Sequence, residues 1–480
     1  MNLPLELWQH VYQYLSQSDL LQGALVSPTL PLSLYCQSRI WARVEAEDWV
    51  FESFHQGLAR NLRLVRRVAC SSKARLEILT APECGFITHL DVERMPFLSS
   101  TVLESILEHN HQQLQSLRVR LDRTNFQMVT DKVRRMGELK ELSLQRWEGI
   151  HQEALEAILE ACPQVERLSL GHNSLYPFRL ENMKQGQRLH QTRLRIRSLV
   201  LDGAVLFHEE LVLNLASRCP DLQSLCMQGC FGIRLSSAFI TDLAALCPRL
   251  ERVDFANQST ADGFYAALFR AIPGLREIKA TGSILTDIEI QSLVQHCSSA
   301  LESLDIGYCT SLESRSILSI LTGCPGLVHL DARGVDFNPR DMDAADTWVC
   351  TKLKSLYLEI LLPKRAHYVP GEPEAIRNRL YQQLSRLTRL QSLHLGAGSR
   401  DRGINILEMS LLTGLSSLAS LTQLRRLDIK RLNHAVRGAE VVWMLEHWPR
   451  LQTLGILLDT NADMELVRAV HQQSSTIHVW

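Results

Sequence analysis

Cys219-Pro220-Asp221-Leu222-Gln223-Ser224-Leu225-Cys226-Met227-Gln228-Gly229-Cys230 is the phrase from which most of this 480-residue chain is built. Its kernel is L-x-x-L-x-L, carried by Leu222, Leu225 and Met227, with the last two spaced to share one face of a short strand. The kernel returns at Val165/Leu168/Leu170, Leu250/Val253/Phe255, Leu275/Ile278/Ala280, Leu301/Leu304/Ile306, Leu327/Leu330/Ala332 and Leu353/Leu356/Leu358. Most copies lie about 25 to 28 residues apart, a period that belongs to stacked solenoid repeats. Before the quoted phrase the same pattern reads Ile87/Leu90/Val92, Leu114/Leu117/Val119, Leu139/Leu142/Leu144 and Ile196/Leu199/Leu201, with Val65/Val68/Cys70 as a marginal first copy. After Leu353 the kernels at Leu390/Leu393/Leu395 and Leu424/Leu427/Ile429 are more widely spaced, and Leu451/Leu454/Ile456 closes the series. Helical stretches are expected in the gaps at Gln152 to Ala161, Glu209 to Arg218, Ala238 to Leu246, Asp287 to His296 and Ser316 to Leu321.

A single repeat buries too little to fold alone and gains its stability from its neighbours, so the length is compatible with one long body rather than several domains. Strands in such a stack lie closer together than helices, which bends the array into a horseshoe with the parallel sheet on its concave side and the helices outside. About fourteen strands would give an inner face on the order of 65 Å, large enough for a protein partner.

Lys+Arg 51 against Asp+Glu 52 gives a net charge of -1, so no global field draws nucleic acid or an anionic membrane. Of the 12 cysteines, Cys162, Cys219, Cys247 and Cys324 each precede a proline just before a kernel. They are expected as reduced, buried thiols at equivalent places. The start Met1-Asn2-Leu3-Pro4-Leu5-Glu6 lacks a basic residue followed by an apolar run, and no apolar run of about 18 residues follows. A cytoplasmic or nuclear protein is therefore expected, with no membrane partner.

The repeat unit resembles the cysteine-containing class of leucine-rich repeats, with C-P-x-L before the strand and a cysteine after it at Cys230 and Cys309. The expected fold class is thus α/β, a leucine-rich-repeat horseshoe solenoid over residues 87–480. Residues 46–86 form a connecting segment with a possible irregular first repeat. Residues 2–45 differ in kind. Leu3, Leu7, Val11, Tyr14 and Leu15 share one face of an amphipathic helix, and Ser18-Asp19 start a second helix carrying Leu20, Leu21, Ala24, Leu25 and Val26. This stretch resembles the F-box: Leu3-Pro4-Leu5-Glu6-Leu7 matches its opening, Val11 with Tyr14-Leu15 its I-x-x-Y-L segment, Asp19-Leu20 its D-L and Val26-Ser27 its V-S, while Trp41 sits near its late tryptophan. Pro28-Thr29-Leu30-Pro31 departs from the family pattern. The resemblance implies that Leu3, Pro4, Leu7, Val11, Tyr14, Leu15, Leu20 and Val26 dock the Skp-type adaptor of a cullin ubiquitin ligase. The chain would then be a substrate-recognition subunit of that ligase. The alternative is a non-catalytic leucine-rich-repeat scaffold or inhibitor whose N-terminal helices merely cap the solenoid.

Strand alternation turns the residue between the two inward positions of each kernel toward the open face. The resulting row reads Asp91, Arg118, Ser143, Ser169, Val200, Cys226, Asp254, Lys279, Asp305, Asp331, Tyr357, His394, Asp428 and Gly455. Asp305 and Asp331, with His329, Arg333 and Tyr357 around them, are the expected substrate contacts, and their charge suits a basic peptide. Two insertions break the rhythm, a basic one at 176–197 and a Pro/Gly-rich one at 362–374 that is expected as an exposed loop or lid. No enzyme is expected. Gly396-Ala397-Gly398 lacks the third glycine of a nucleotide fingerprint, Cys226 and Cys230 have no second pair to complete a zinc site, and His208-Glu209-Glu210 lacks the second histidine of a zinc protease. Neither a cofactor nor a metal nor a nucleic-acid partner is expected.

Overall fold

The computed structural model of the chain describes residues 41–44, 52–70, 75–95, 98–121, 125–145, 152–171, 179–180, 193–203, 205–206, 208–343, 347–361, 371–397, 407–430, 432, 436–456 and 478–479. Leu3, Pro4, Leu7, Val11, Tyr14, Leu15, Leu20 and Val26 lie outside them, as do Lys184 and Arg188 and residues 362–370. The chain divides into two compact units, Met1–Leu222 with Cys230–Gly232 and Gln223–Gly229 with Ile233–Trp480.

In the first unit β1 (Arg43–Val44), β2 (Arg67–Ala69), β3 (His89–Asp91), β4 (Ser116–Arg120), β5 (Glu141–Gln145) and β6 (Arg167–Gly171) pair in order and in parallel. A separate small pair joins β7 (Arg179–Leu180) to β9 (Val205–Leu206), while β8 (Ser198–Val200) continues the main sheet from β6. Return segments are helical: α1 (Glu52–Arg60), α2 (Ser100–Asn110), α3 (Phe126–Val133), α4 (Gln152–Ala161) and α5 (Glu209–Ser217). The ring of Trp41 rests on Gly57 of α1, where even a Cβ would come within 2.6 Å of it.

The second unit repeats the scheme. Its strands β10 (Ser224–Cys226), β11 (Arg252–Asp254), β12 (Glu277–Lys279), β13 (Ser303–Asp305), β14 (His329–Phe337), β15 (Ser355–Ile360), β16 (Ser392–Ala397), β17 (Arg426–Asp428), β18 (Thr453–Gly455) and β19 (His478–Val479) form one parallel ladder in chain order. Between them run α6 (Ser237–Leu246), α7 (Phe264–Ala271), α8 (Asp287–Cys297), α9 (Ser314–Gly323), α10 (Glu372–Ser385) and α11 (Gly438–His447). Each unit is therefore α/β leucine-rich-repeat architecture, one strand and one return segment per repeat.

The middle kernel residue of each strand explains the register. Leu225, Val253, Ile278, Leu304, Leu330, Leu356, Leu393, Leu427 and Leu454 are successive Cα partners, all buried, and Val44, Val68, Leu90, Leu117, Leu142, Leu168 and Leu199 do the same in the first unit. A slip by one residue would turn every one of these toward water, so the apolar ladder fixes the pairing. Cysteines fill equivalent core places: Cys162, Cys219, Cys247 and Cys324 are all buried, and every cysteine among the described residues is a thiol rather than a disulfide. The insertion expected as a loop through Glu374 ends sooner. Gly371, in the left-handed region at φ +83, caps α10, and Pro373 sits in its first turn where a missing N–H costs nothing.

Candidate functional site: the open face of the sheet

The row expected on the open face is a register ladder residue by residue. Asp91, Arg118, Ser143, Ser169 and Val200 are successive partners in the first unit, and Cys226, Asp254, Lys279, Asp305, Asp331, Tyr357, His394, Asp428 and Gly455 in the second. Facing the same side two residues earlier along each strand, exposed His329 stands between Ser303 and Ser355.

The recurring aspartates of this row have a local task. Asp91, Asp254, Asp305, Asp331 and Asp428 each accept, through Oδ1, the backbone N–H two residues on, at 3.2, 3.1, 3.0, 3.1 and 3.2 Å. Each closes the turn that ends its strand. Asp305 Oδ1 also accepts from Thr281 Oγ1 at 2.6 Å. Asp254 Oδ2 lies 3.8 Å from Lys279 Nζ. Asp331 is held by the guanidinium of Arg333, whose Nε and Nη2 donate to it at 2.9 and 2.6 Å. Arg333 has its pKa raised by that hydrogen bond, so it stays cationic at any working pH.

One residue further, the repeats share a second device that the sequence reading missed. Gly229, Asn257, Gly282, Tyr308 and Gly334 occupy the same place after successive strands and all have positive φ, at 60, 55, 68, 59 and 72 degrees. The amide of each of the first four donates to a carbonyl of the next repeat: Gly229 to Ala256, Asn257 to Thr281, Gly282 to Gly307 and Tyr308 to Arg333, over 2.5 to 2.9 Å. Glycine and asparagine take this conformation cheaply, whereas a bulky aromatic pays roughly 1–2 kcal/mol for it. Tyr308 is nonetheless there, 54% exposed, its ring over Gly334, where a Cβ would meet it at 2.6 Å. The signal was in the sequence as a tyrosine where the neighbouring repeats carry glycine or asparagine.

Arg333 is placed by a third irregularity. Pairing of β14 with β15 runs to Ala332 opposite Leu358 and resumes at Asp336 opposite Glu359. Arg333, Gly334 and Val335 form a bulge between, a device that re-aims side chains. The guanidinium lies 5.2 Å from the ring centroid of Tyr357, over its face. Tyr357 in turn stacks on His394 at 5.4 Å and 29 degrees, and His394 Nδ1 is 3.3 Å from Asp428 Oδ2. The result is a continuous line, Asp331, Arg333, Tyr357, His394 and Asp428, with exposed Tyr308 beside its cationic end. It offers a partner a planar cation, three rings and polar edges already locked in place, which lowers the ordering cost of binding.

Of the expected contacts, the structure brings Asp331, Arg333 and Tyr357 into one interacting group, sets Asp305 one strand away on Thr281, and leaves His329 exposed among serines. Within the basic insertion, Arg193 pairs with Asp221 at 2.9 Å and Arg197 with Glu166 at 3.8 Å. Among the described residues no group of three or more His, Cys, Asp or Glu side chains is placed to hold a metal ion, and no helix is long and apolar enough to cross a membrane.

No family model matches the chain. Similar solved structures include the complex of Rad7 and Elc1 in yeast, with 17% identity, 74% of this chain and 87% of that chain covered, and a TM-score of 0.45. An internalin, InlF, from Listeria monocytogenes matches at 13% identity over 84% of this chain and 89% of its own, with a TM-score of 0.36. The TLR13–ssRNA13 complex matches at 13% identity over 87% of this chain and 54% of its own, with a TM-score of 0.33. Likenesses this distant carry no argument about function, which rests on the residues themselves.

Proposed function

We propose that this chain is a non-catalytic substrate-recognition subunit of a Skp–cullin–F-box ubiquitin ligase of the cytoplasm or nucleus. Residues 2–45 dock the Skp-type adaptor through Leu3, Pro4, Leu7, Val11, Tyr14, Leu15, Leu20 and Val26, and the open face of the repeats holds the protein to be modified. The adaptor half of the reading is supported by the F-box pattern of those residues. The substrate half is supported by one observation above the rest: a preorganised cluster of exposed Tyr308 and Arg333 on half-buried Tyr357, built where the repeat pattern is broken three times over. Aromatic and arginine side chains are the types that most often dominate protein recognition energies. Asp305 and Asp331 support that cluster, and His329 borders it. Acting by positioning, the subunit would bring a bound substrate near the charged ubiquitin carrier, so its own chemistry reduces to holding geometry.

Co-purification of the full chain with the Skp-type adaptor tests the reading. The wild type is expected to bind, and a Leu7→Asp, Leu15→Asp variant with unchanged circular dichroism is expected not to. A well-folded wild type that captures no adaptor would leave a repeat scaffold with a capping N-terminus.

A further inference from the structure

The first unit carries a cavity of about 250 Å³ on the open face of β1 to β5, walled by Arg43, Arg67, His89, Asp91, Arg118 and Glu141. It exists because small side chains interrupt two rows of large ones. Arg43, Arg67, His89, Ser116 and Glu141 are successive partners in one row, and Ala69, Asp91 and Arg118 in the next. Ala69 and Ser116 leave the space that the longer arms surround.

Among the described residues that wall this space, Arg43, Arg67 and Arg118 outnumber Asp91 and Glu141. Glu141 is consumed twice, by Arg118 Nη2 at 2.8 Å and by Arg167 Nη2 at 2.8 Å. Burial pushes its carboxyl upward, but the hydrogen bonds from Arg167 and Arg118 outweigh that and hold it below the ordinary range. Asp91 spends Oδ1 on the Glu93 amide and has Arg118 4.0 Å from Oδ2. Arg67 is exposed at the rim and makes no ion pair with any described carboxylate. Next to it the His89 imidazole is pushed down, first by burial and then by Arg67, against an opposing pull from Glu141. Thr88 Oγ1 lies 3.0 Å from the Arg66 carbonyl and 2.9 Å from His89 Nδ1, which holds the imidazole in the wall. A bound anion would supply a counter-charge that favours the protonated ring.

We infer that this cavity is a binding site for a single anionic group, phosphoryl or carboxylate, presented by a protein segment lying across β1 to β5. Arg67 makes the primary contact, while Arg118, paired with Glu141, and His89 form the wall. About 250 Å³ is below the roughly 300–1,000 Å³ of drug-sized ligand sites and suits one side chain rather than a cofactor. Nucleic acid is the poorer occupant, because it is held by many phosphate contacts along a track of unpaired cations, and here Arg118 and Arg167 are spent on Glu141. Guanidinium groups suit both phosphoryl and carboxylate oxygens. The site stands independently of the proposed ligase role, since nothing in it depends on what the N-terminal segment docks.

The test uses the full chain with histidine rings labelled for NMR, the His89 signal assigned by its loss in His89→Gln. Titrants are inorganic phosphate, N-acetylphosphoserine amide, N-acetylglutamate amide and oligouridylate. A saturable upward shift of the His89 titration with phosphate and phosphoserine amide places the anion as inferred and names the phosphoryl source. The same shift with the glutamate amide alone supports the site and names the carboxylate. Arg67→Glu, folded by circular dichroism, is expected to weaken binding about tenfold or more, the loss of one charge-assisted contact. Arg315→Glu, an equal charge change on α9, is expected to leave it unaltered. No response of His89 to any of the small anions at millimolar concentration, binding that survives Arg67→Glu, or tighter binding of oligouridylate lost with Arg67→Glu would each overturn the inference.

Discussion

Glu289 caps two helices at once, and replacing it should cost more than any exposed carboxylate of the sheet. It is buried at 5% exposure. Through Oε2 it accepts the Thr286 amide at 2.9 Å and the Thr286 hydroxyl at 3.1 Å, completing the capping box of α8. Through Oε1 it reaches the amide of Tyr265, the second residue of α7, at 3.3 Å. One carboxylate thus serves the positive ends of adjacent repeats, and Glu440 does likewise for Arg437 and Leu411. In Glu289→Ala the hydroxyl can turn to a new partner, but the Thr286 and Tyr265 amides cannot. Leaving the buried Tyr265 amide unsatisfied costs about 1–3 kcal/mol and losing the cap at the exposed Thr286 about 0.5–2 kcal/mol, so the variant should lose about 1.5–5 kcal/mol of stability. Glu289→Gln keeps one acceptor and should lose about half as much. Urea unfolding measures the total, and amide exchange at Tyr265 and Thr286 localises it, which matters because a repeat array need not unfold in one step. A loss below about 0.5 kcal/mol for the alanine variant, the range of ordinary surface substitutions, would refute the double cap.

Tyr308→Asn should leave stability within about 1 kcal/mol of the parent, because relief of left-handed strain offsets the lost ring contact, yet it should lower capture of any partner held by the second unit. Thermal unfolding beside a pull-down reads both, and unchanged capture would remove Tyr308 from the site. Burial pushes the thiols of Cys297, Cys309 and Cys324 up to about 12, so at pH 8 almost none is thiolate. Half-buried Cys226 should therefore be alkylated by iodoacetamide well before them in native protein, as peptide mass spectrometry would show, and labelling of Cys324 at a comparable rate would contradict the core placement. Glu141 has a depressed folded pKa, so its contribution to stability is complete above the ordinary carboxylate range and lost as pH falls through its own titration. Removing both of its partners in Arg118→Ala, Arg167→Ala should move that titration upward by NMR and leave less stability to be lost on acidification.

How much of this was legible in the residues depends on the scale of the cause. The L-x-x-L-x-L kernels place the buried ladder from Leu225 to Leu454, and period-two alternation places the open row from Cys226 to Gly455 without a slip. Burial drives both, and burial acts through types that repeat. The helix expected at Gln152 to Ala161 is α4 residue for residue, and that at Asp287 to His296 ends one residue later at Cys297. What escaped is set by contacts between repeats. Periodicity cannot show that Asp305 bonds Thr281, that Glu289 reaches a helix of the preceding repeat, or that three residues bulge out after Ala332. The row of acids suggested a surface for basic peptides. Charge type alone does not reveal that each Oδ1 is already closing a turn.

The same division separates scaffold from site. Whatever recurs at a fixed place along the repeats is there for the array: the apolar ladder, the turn-closing aspartates and the left-handed glycines would serve it whichever partner bound. Recognition has to reside in departures from the pattern, because only they distinguish one stretch of the face from the next. In the second unit the departures coincide, with Tyr308 in a glycine's place, Arg333 in a bulge and Tyr357 and His394 stacked where neighbouring repeats carry aspartate or lysine. In the first they also coincide, as Arg67 and His89 surround a gap left by Ala69 and Ser116. Independent irregularities that converge on one patch carry strain the repeating array does not require, which is the physical ground for placing both candidate sites there.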